Sequence, residues 1–467
     1  MWFNSKKTIA KATQTTHGNK PLTRVLLITA AIACIAVFTG CVVIGDHLDQ
    51  FRKRFYTYPI WVFDNARGYR ENQPPAKLMN DDTNVVVAIS GGGARASYFS
   101  ACVLEQLAAQ PDPTGKGKSL LDRVQVVSGV SGGSLAAMYY GLYKPANLND
   151  SNRGKFFSLF KNHMSINQVM SGVSHFENNI WEFGLYYYTR WRVSQTLAQM
   201  YDRKVFRRAT LGHLHSRALR GEAPLVVVNA TNLDTGGKFL FTALPTAKYF
   251  NTDPAALSNA PALKTLATAM NTSVNKAAGF DTIDSEADNF RASVAVAASS
   301  GLPFTPGPTT LVNYATNGYV HLADGGINDN TGIDSLVQLY INAKARGKRG
   351  KLVIICIDAM QGNVVARSND KDPDGYVGSL QYAAHAFGTA SARTQIYQNA
   401  LVDSASPYIK TIHLRLNDNK DANLQFNGRG PGGVGIFITR EDAGYIERAA
   451  ADLVAKNLSK LNRAIAN

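Results

Sequence analysis

Three short stretches carry residue types that do nucleophilic chemistry. The first is Gly129-Val130-Ser131-Gly132-Gly133. It follows an apolar run and opens the helix-like run GGSLAAMYYGLY. Glycines on both sides permit a strained turn that lifts a serine hydroxyl above the end of a sheet, and a helix N-terminus behind it favours negative charge. The second is Ser90-Gly91-Gly92-Gly93-Ala94-Arg95-Ala96, also between a strand-like and a helix-like run. Gly91, Gly92 and Gly93 expose backbone N–H groups with no side chain over them, as an oxyanion hole requires, and Arg95 adds a cation. Phosphate binding is the competing use of such a loop. The stretch has neither G-x-G-x-x-G spacing nor a G-K-[ST] ending. The third is Asp324-Gly325-Gly326, where a carboxylate in a glycine turn is either a base or a plain D-G turn.

Two other chemistries compete. A Ser-acid-His order would need a histidine after Asp324, which leaves His385 and His413, with His321 three residues before it. His385 lies in a helix-like run and His413 in a strand-like one, so both read as packed residues. Asp370-Lys371-Asp372-Pro373-Asp374-Gly375 matches half of a calcium loop, but Gln381 stands where a bidentate Glu is required. A polar surface turn fits it better.

The elements that must position these residues are short β-branched runs alternating with helical periods. Candidate strands are Asn84 to Ile89, Arg123 to Val130, Pro224 to Thr231 and Lys351 to Asp358. Phe99, Cys102, Val103 and Leu107 recur at helical spacing, and Glu441 to Leu461 has acids early and lysines late, as a helix dipole favours. The pattern predicts an α/β fold whose sheet is buried on both faces. Residues 147–221 form a basic, aromatic-rich insertion: Phe156, Phe157, Phe160, Trp181, Phe183, Tyr186, Tyr187, Tyr188 and Trp191. It reads either as helices packed on the sheet or as a cap facing lipid.

The chain of 467 residues is 45% hydrophobic, which excludes a disordered protein, and its four cysteines exclude a disulfide scaffold. Residues 1–45 are a targeting segment. Five lysines and arginines precede Val25 to Ile44, twenty residues without a charge, and Asp46 and Asp49 follow. That is long enough to span a bilayer. Phe38-Thr39-Gly40-Cys41 is similar to a lipobox, which would make Cys41 the lipidated first residue. Both readings export residues 46 onward. Residues 46–83 are a polar lead-in and 84–465 the catalytic body. Cys102 and Cys356 sit in apolar runs and read as buried, inert thiols. The net charge of +15 suggests nucleic acid or an anionic membrane. No helix-turn-helix, zinc or RNA-binding motif supports the former.

GGG-x-R after the first strand, then G-x-S-x-G, then DGG, in this order, resemble the patatin-like phospholipases and the related cytosolic phospholipase A2 group. ASSGLPFTP, Ala298 to Pro306, is similar to that family's ASSA-x-P segment. The resemblance spans about Asn84 to Gly332. It implies a three-layer α/β/α fold and a Ser-Asp dyad, with Ser131 as nucleophile, Asp324 as base and no catalytic histidine. It places the oxyanion hole at Gly91, Gly92 and Gly93, gives Arg95 a role in orienting phosphate or oxyanion, and implies no metal or cofactor. The expected activity is lipid acyl hydrolysis of the phospholipase A or lysophospholipase type, with membrane lipid as substrate and docking surface. A generic carboxylesterase and a lipid-binding protein of little activity are the alternatives.

Overall fold

The computed structural model describes residues 65–165, 193–302, 307–359, 393–426 and 438–466. The strands are β1 (Thr83–Ile89), β2 (Val124–Val130), β3 (Leu225–Asn232), β4 (Lys238–Phe241), β5 (Ala277–Ala278), β6 (Thr309–Asn313), β7 (Gly318–Asp324), β8 (Lys351–Asp358) and β9 (Ile409–Arg415). They form one sheet in the order β5-β4-β3-β2-β1-β8-β9, with β7 pairing β3 and β6 pairing β7. β1 lies between β2 and β8, parallel to both. A strand so placed is covered on both faces, which is why TNVVVAI is apolar almost throughout and wholly buried.

Alternation along the strands divides the core. Val85, Val87 and Ile89 pack on one face, with Val353, Ile355 and Ile357 of β8. Val86 and Ala88 pack on the other, with Leu352, Ile354 and Cys356. The first face carries α1 (Gly93–Ala108), α2 (Gly132–Tyr143), α3 (Asp150–Met164), α4 (Val193–Tyr201), α5 (Leu211–Leu219), α7 (Ala292–Ser299) and α9 (Arg440–Ala466). The second carries α6 (Pro261–Met270) and α8 (Ile333–Ala345). Three layers, α/β/α, result. The four strands read from the pattern are present, and so are the helices through Phe99 to Leu107, at GGSLAAMYYGLY and over Glu441 to Leu461.

The basic, aromatic insertion does core work where it is described. Phe156, Phe157 and Phe160 of α3 are buried, and Phe160 stacks on Tyr139 of α2 at 4.7 Å. Trp181, Phe183, Tyr186, Tyr187, Tyr188 and Trp191 lie outside the described residues. So do Cys41, the charge-free stretch 25–44, His385 and the Asp370–Gly375 string. No helix among the described residues is long and apolar enough to cross a membrane. The polar lead-in belongs to the body from Asn65 on, whose side-chain amide donates to the Val312 carbonyl at 2.8 Å. Cys102 and Cys356 are free and buried, and burial pushes both thiols well up.

One feature of the sheet decides where Ser131 and Asp324 sit. β2 ends at Val130, opposite Asn229 of β3. β7 then takes over beside β3, and the next residue, Ala230, faces Asp324. Two strand ends therefore meet along two successive residues of a third.

The loop after Asp324 is fixed by a buried charged network. Lys238 Nζ donates to Asp334 Oδ2 at 3.0 Å and to Gln338 Oε1 at 3.4 Å. Asp329 accepts the Thr331 N–H at 2.9 Å and the Asp334 N–H at 3.0 Å. Burial, then the Asp334 charge, push the Asp329 carboxyl up, while Lys238 opposes them. Removing one partner of such a pair strands a buried charge, at about 3–5 kcal/mol. Lys238→Ala is expected to lower stability by about that amount. The check is a urea midpoint that falls with an unchanged slope.

Candidate active site

Ser131 is held in a conformation that a residue with a side chain rarely adopts, φ 51° and ψ −125°. It sits between β2 and α2. Two close approaches make that turn possible. A Cβ at Gly132 would overlap the Gly93 carbonyl, and one at Gly129 would lie 2.7 Å from Ser134 Cα. The Ser131 N–H donates to Ser299 Oγ at 2.9 Å, and the Ser134 N–H closes back on the Ser131 carbonyl at 2.9 Å.

The glycine loop lies against this elbow. Gly92 has φ 141° and Gly93 φ 62°, both in the region that favours glycine. Ser90 anchors the loop to the end of β8: its N–H donates to the Ile357 carbonyl at 3.0 Å, and its Oγ accepts the Ala359 N–H at 3.0 Å. The three glycines are not equivalent. The Gly91 N–H already donates to the Asn330 carbonyl at 2.9 Å, so it is not available to an oxyanion. No acceptor within the described residues takes the N–H of Gly92, Gly93 or Gly132. The first two, with the helix N-terminus at Gly132, are the donors the geometry leaves open.

Asp324 is buried at the end of β7. Its Oδ1 accepts the Gly326 N–H at 2.7 Å, its backbone N–H donates to the Gly301 carbonyl at 2.9 Å, and its carbonyl accepts the Thr231 hydroxyl at 2.8 Å. Oδ2 is buried, and among the described residues it has no hydrogen-bond partner. The Ser131 hydroxyl is near enough to favour the ionised carboxylate, but no hydrogen bond of good geometry closes between them. Long contacts of this kind are usual before substrate binds. Burial pushes the Asp324 carboxyl up to about 6, against the pull of Ser131 and the Gly326 N–H. A carboxylate raised to that range is a stronger base than one in water and is still ionised at neutral pH.

Arg95 is placed differently from the expectation. It is 2% exposed, its Nε donates to the Ala359 carbonyl at 3.0 Å, and its guanidinium lies 5.6 Å from the Phe426 ring centre. Burial pulls it down to about 10, opposed by Asp358 and Asp442, so it stays charged. It ties α1 to the end of β8 and is not presented to an open site. The described histidines stay apart from the pair. His321 Nδ1 meets Asp234 Oδ1 at 2.8 Å, and His413 Nδ1 is buried with no partner among the described residues. Asn330 and Thr231, which hold the two loops, carry no sequence signal beyond their place near DGG and at a strand end.

The geometry is that of an α/β fold with a serine on a strand-turn-helix elbow beside a buried carboxylate. The family model described as patatin-like phospholipase matches residues 87–337, more than half of the chain. The chain belongs to that family. Among solved structures, human GIVD cytosolic phospholipase A2 in complex with methyl gamma-linolenyl fluorophosphonate matches at 12% identity and a TM-score of 0.44, over 82% of this chain and 58% of that one. The type III effector protein ExoU matches at 12% identity and a TM-score of 0.25, over 82% of this chain and 54% of that one. Likenesses this distant add nothing to the family assignment. The chain spans less than two thirds of the length of these structures. Comparison with curated proteins gives no match.

The raised Asp324 carboxyl has a stability consequence. The folded state holds this proton more tightly than the unfolded state, whose carboxyl titrates near 3.8. Stability from this group is therefore complete below about pH 4 and lost as pH rises through about 6. Asp324→Asn is expected to remove that loss. Melting curves should show the variant more stable than wild type at pH 8, by on the order of 2–3 kcal/mol, and closely matched at pH 4.

Proposed function

We propose that the protein is a serine acyl-ester hydrolase acting on lipid, of the phospholipase A or lysophospholipase type, through a dyad of Ser131 and Asp324. The observation that carries this is the register of β3, which sets the strained Ser131 elbow and a buried, raised carboxylate side by side. Asp324 accepts the Ser131 proton as Oγ attacks the ester carbonyl. The negative charge that develops on the carbonyl oxygen is met by the N–H groups of Gly92 and Gly93. Each such donor is worth roughly 3–4 kcal/mol in hydrolases where one has been removed. Collapse breaks the ester C–O bond, and the leaving alcohol takes the proton from Asp324. Water then attacks the acyl-enzyme and gives its proton to the same carboxylate; collapse breaks the bond from the acyl carbon to Ser131 Oγ, returns that proton to Oγ and releases the fatty acid.

The chain's place in the cell is part of the same reading. The charge-free stretch 25–44 would hold the enzyme at a membrane, through a lipid on Cys41 or as a retained span. Five of the fifteen excess positive charges lie in residues 1–24, which leaves +10 beyond Cys41 for attraction to an anionic bilayer.

Product analysis on mixed phospholipid vesicles tests the function. Wild type is expected to release free fatty acid and leave lysophospholipid or its deacylated product, and Ser131→Ala to release none. Cleavage of short-chain soluble esters with no fatty acid from vesicles would replace the lipid assignment with a general carboxylesterase. Vesicle binding by wild type with no product from either substrate would favour a lipid-binding role.

A further inference from the structure

The Ala298-Ser299-Ser300-Gly301 segment at the end of α7 touches both halves of the dyad. Ser299 Oγ accepts the Ser131 N–H at 2.9 Å and donates to the Asn229 carbonyl at 2.6 Å. Two residues on, the Gly301 carbonyl accepts the Asp324 N–H at 2.9 Å. Asn229 is the residue of β3 opposite Val130, and its neighbour Ala230 is opposite Asp324. One buried hydroxyl thus joins the nucleophile's own amide to the strand that sets the base.

We propose that Ser299 is a positioning residue that locks the Ser131 elbow in its reactive conformation by accepting the Ser131 N–H while donating to the Asn229 carbonyl. The inference rests on the serine-hydrolase reading for its kinetic consequence, but the clamp is a statement about Ser131 itself. Three points carry it. Ser131 at φ 51° is strained, and strain of this kind persists only where neighbours over-determine it. The Ser131 amide is buried at the end of a strand whose ladder has run out, so without Ser299 it is an orphaned donor. Ser299 is 0% exposed and its two bonds use the hydroxyl once as acceptor and once as donor, so no other side chain of its size without a hydroxyl replaces it.

There is a consequence for the oxyanion. Because Ser131 N–H is given to Ser299, the nucleophile's own amide does not serve the hole. Loss of Ser299 frees the peptide between Val130 and Ser131 to turn, which moves Oγ away from Asp324.

The test compares Ser299→Ala with Ser293→Ala, which removes a buried hydroxyl from the same helix, one that meets Asp202 and not Ser131. The readouts are the rate of fluorophosphonate labelling, the split between kcat and KM on a soluble ester, and hydrogen exchange of the Ser131 amide. Ser299→Ala is expected to label roughly 10- to 100-fold more slowly, with the loss in kcat and KM nearly unchanged, the factor that follows from orphaning one buried donor. Its Ser131 amide should lose protection, while Ser293→Ala keeps wild-type values in all three. Ser299→Thr, which keeps the hydroxyl, is expected to restore most of the labelling rate. If Ser299→Ala does not fold, Ser299→Cys is read in its place, since a thiol is a poor acceptor. A folded Ser299→Ala or Ser299→Cys that labels at the wild-type rate with a protected Ser131 amide overturns the proposal. A wild type that does not label at all overturns the hydrolase reading instead, and the exchange of the Ser131 amide still decides the clamp.

Discussion

The constraint on which the site depends is the place where β2 ends and β7 takes over beside β3. A strand can pair with only one neighbour on each edge at any residue. Val130 occupies that edge at Asn229, and Asp324 occupies it one residue later at Ala230. Ser131 and Asp324 are therefore separated by a fixed backbone step and not by the reach of flexible side chains. The hydrogen bonds around it reinforce the step. Ser299 joins Ser131 to Asn229, while Thr231 and Gly301 hold the backbone of Asp324.

Burial supplies the electrostatics. Asp324 lies deep enough that desolvation outweighs its two stabilising contacts, so its carboxyl rises to about 6. It remains ionised at neutral pH, with one oxygen pinned by Gly326 and the other without a partner among the described residues. An unpaired buried carboxylate oxygen is costly and so is seldom left in a structure without a use. The same loop is tied to the glycine loop through Asn330, whose carbonyl takes the Gly91 N–H. Asp324, the open N–H groups of Gly92 and Gly93 and the Ser131 elbow thus share one frame, and the buried ion pair of Lys238 with Asp334 braces the loop that joins them.

Much of this frame was legible in the residues. The runs NVVVAI, VQVVSGV, LVVVNAT and KLVIICID are apolar on both faces because they become doubly covered strands at the centre of the sheet, so their periodicity announces them. The glycines around Ser131 report a backbone crowded too closely for a Cβ. What was not legible depends on pairing. β7 is half exposed and antiparallel, and nothing in GYVHLAD says that its last residue lands beside Ala230. The order of use among the three glycines depends on the distant carbonyl of Asn330, and the burial of Arg95 on Ala359 and Phe426. These are long-range contacts that local spacing does not encode.

In the proposed dyad a carboxylate alone activates Ser131. The most direct measurement is the rate of covalent fluorophosphonate capture at Ser131 in Asp324→Asn, beside His321→Gln, His385→Gln and His413→Gln, each shown to be folded. Capture is expected to fall by at least roughly 10³-fold in the first, as removal of a catalytic base commonly gives, and to stay within a few-fold of wild type in the other three. Wild-type capture by Asp324→Asn, or its abolition by any one histidine substitution, would contradict it.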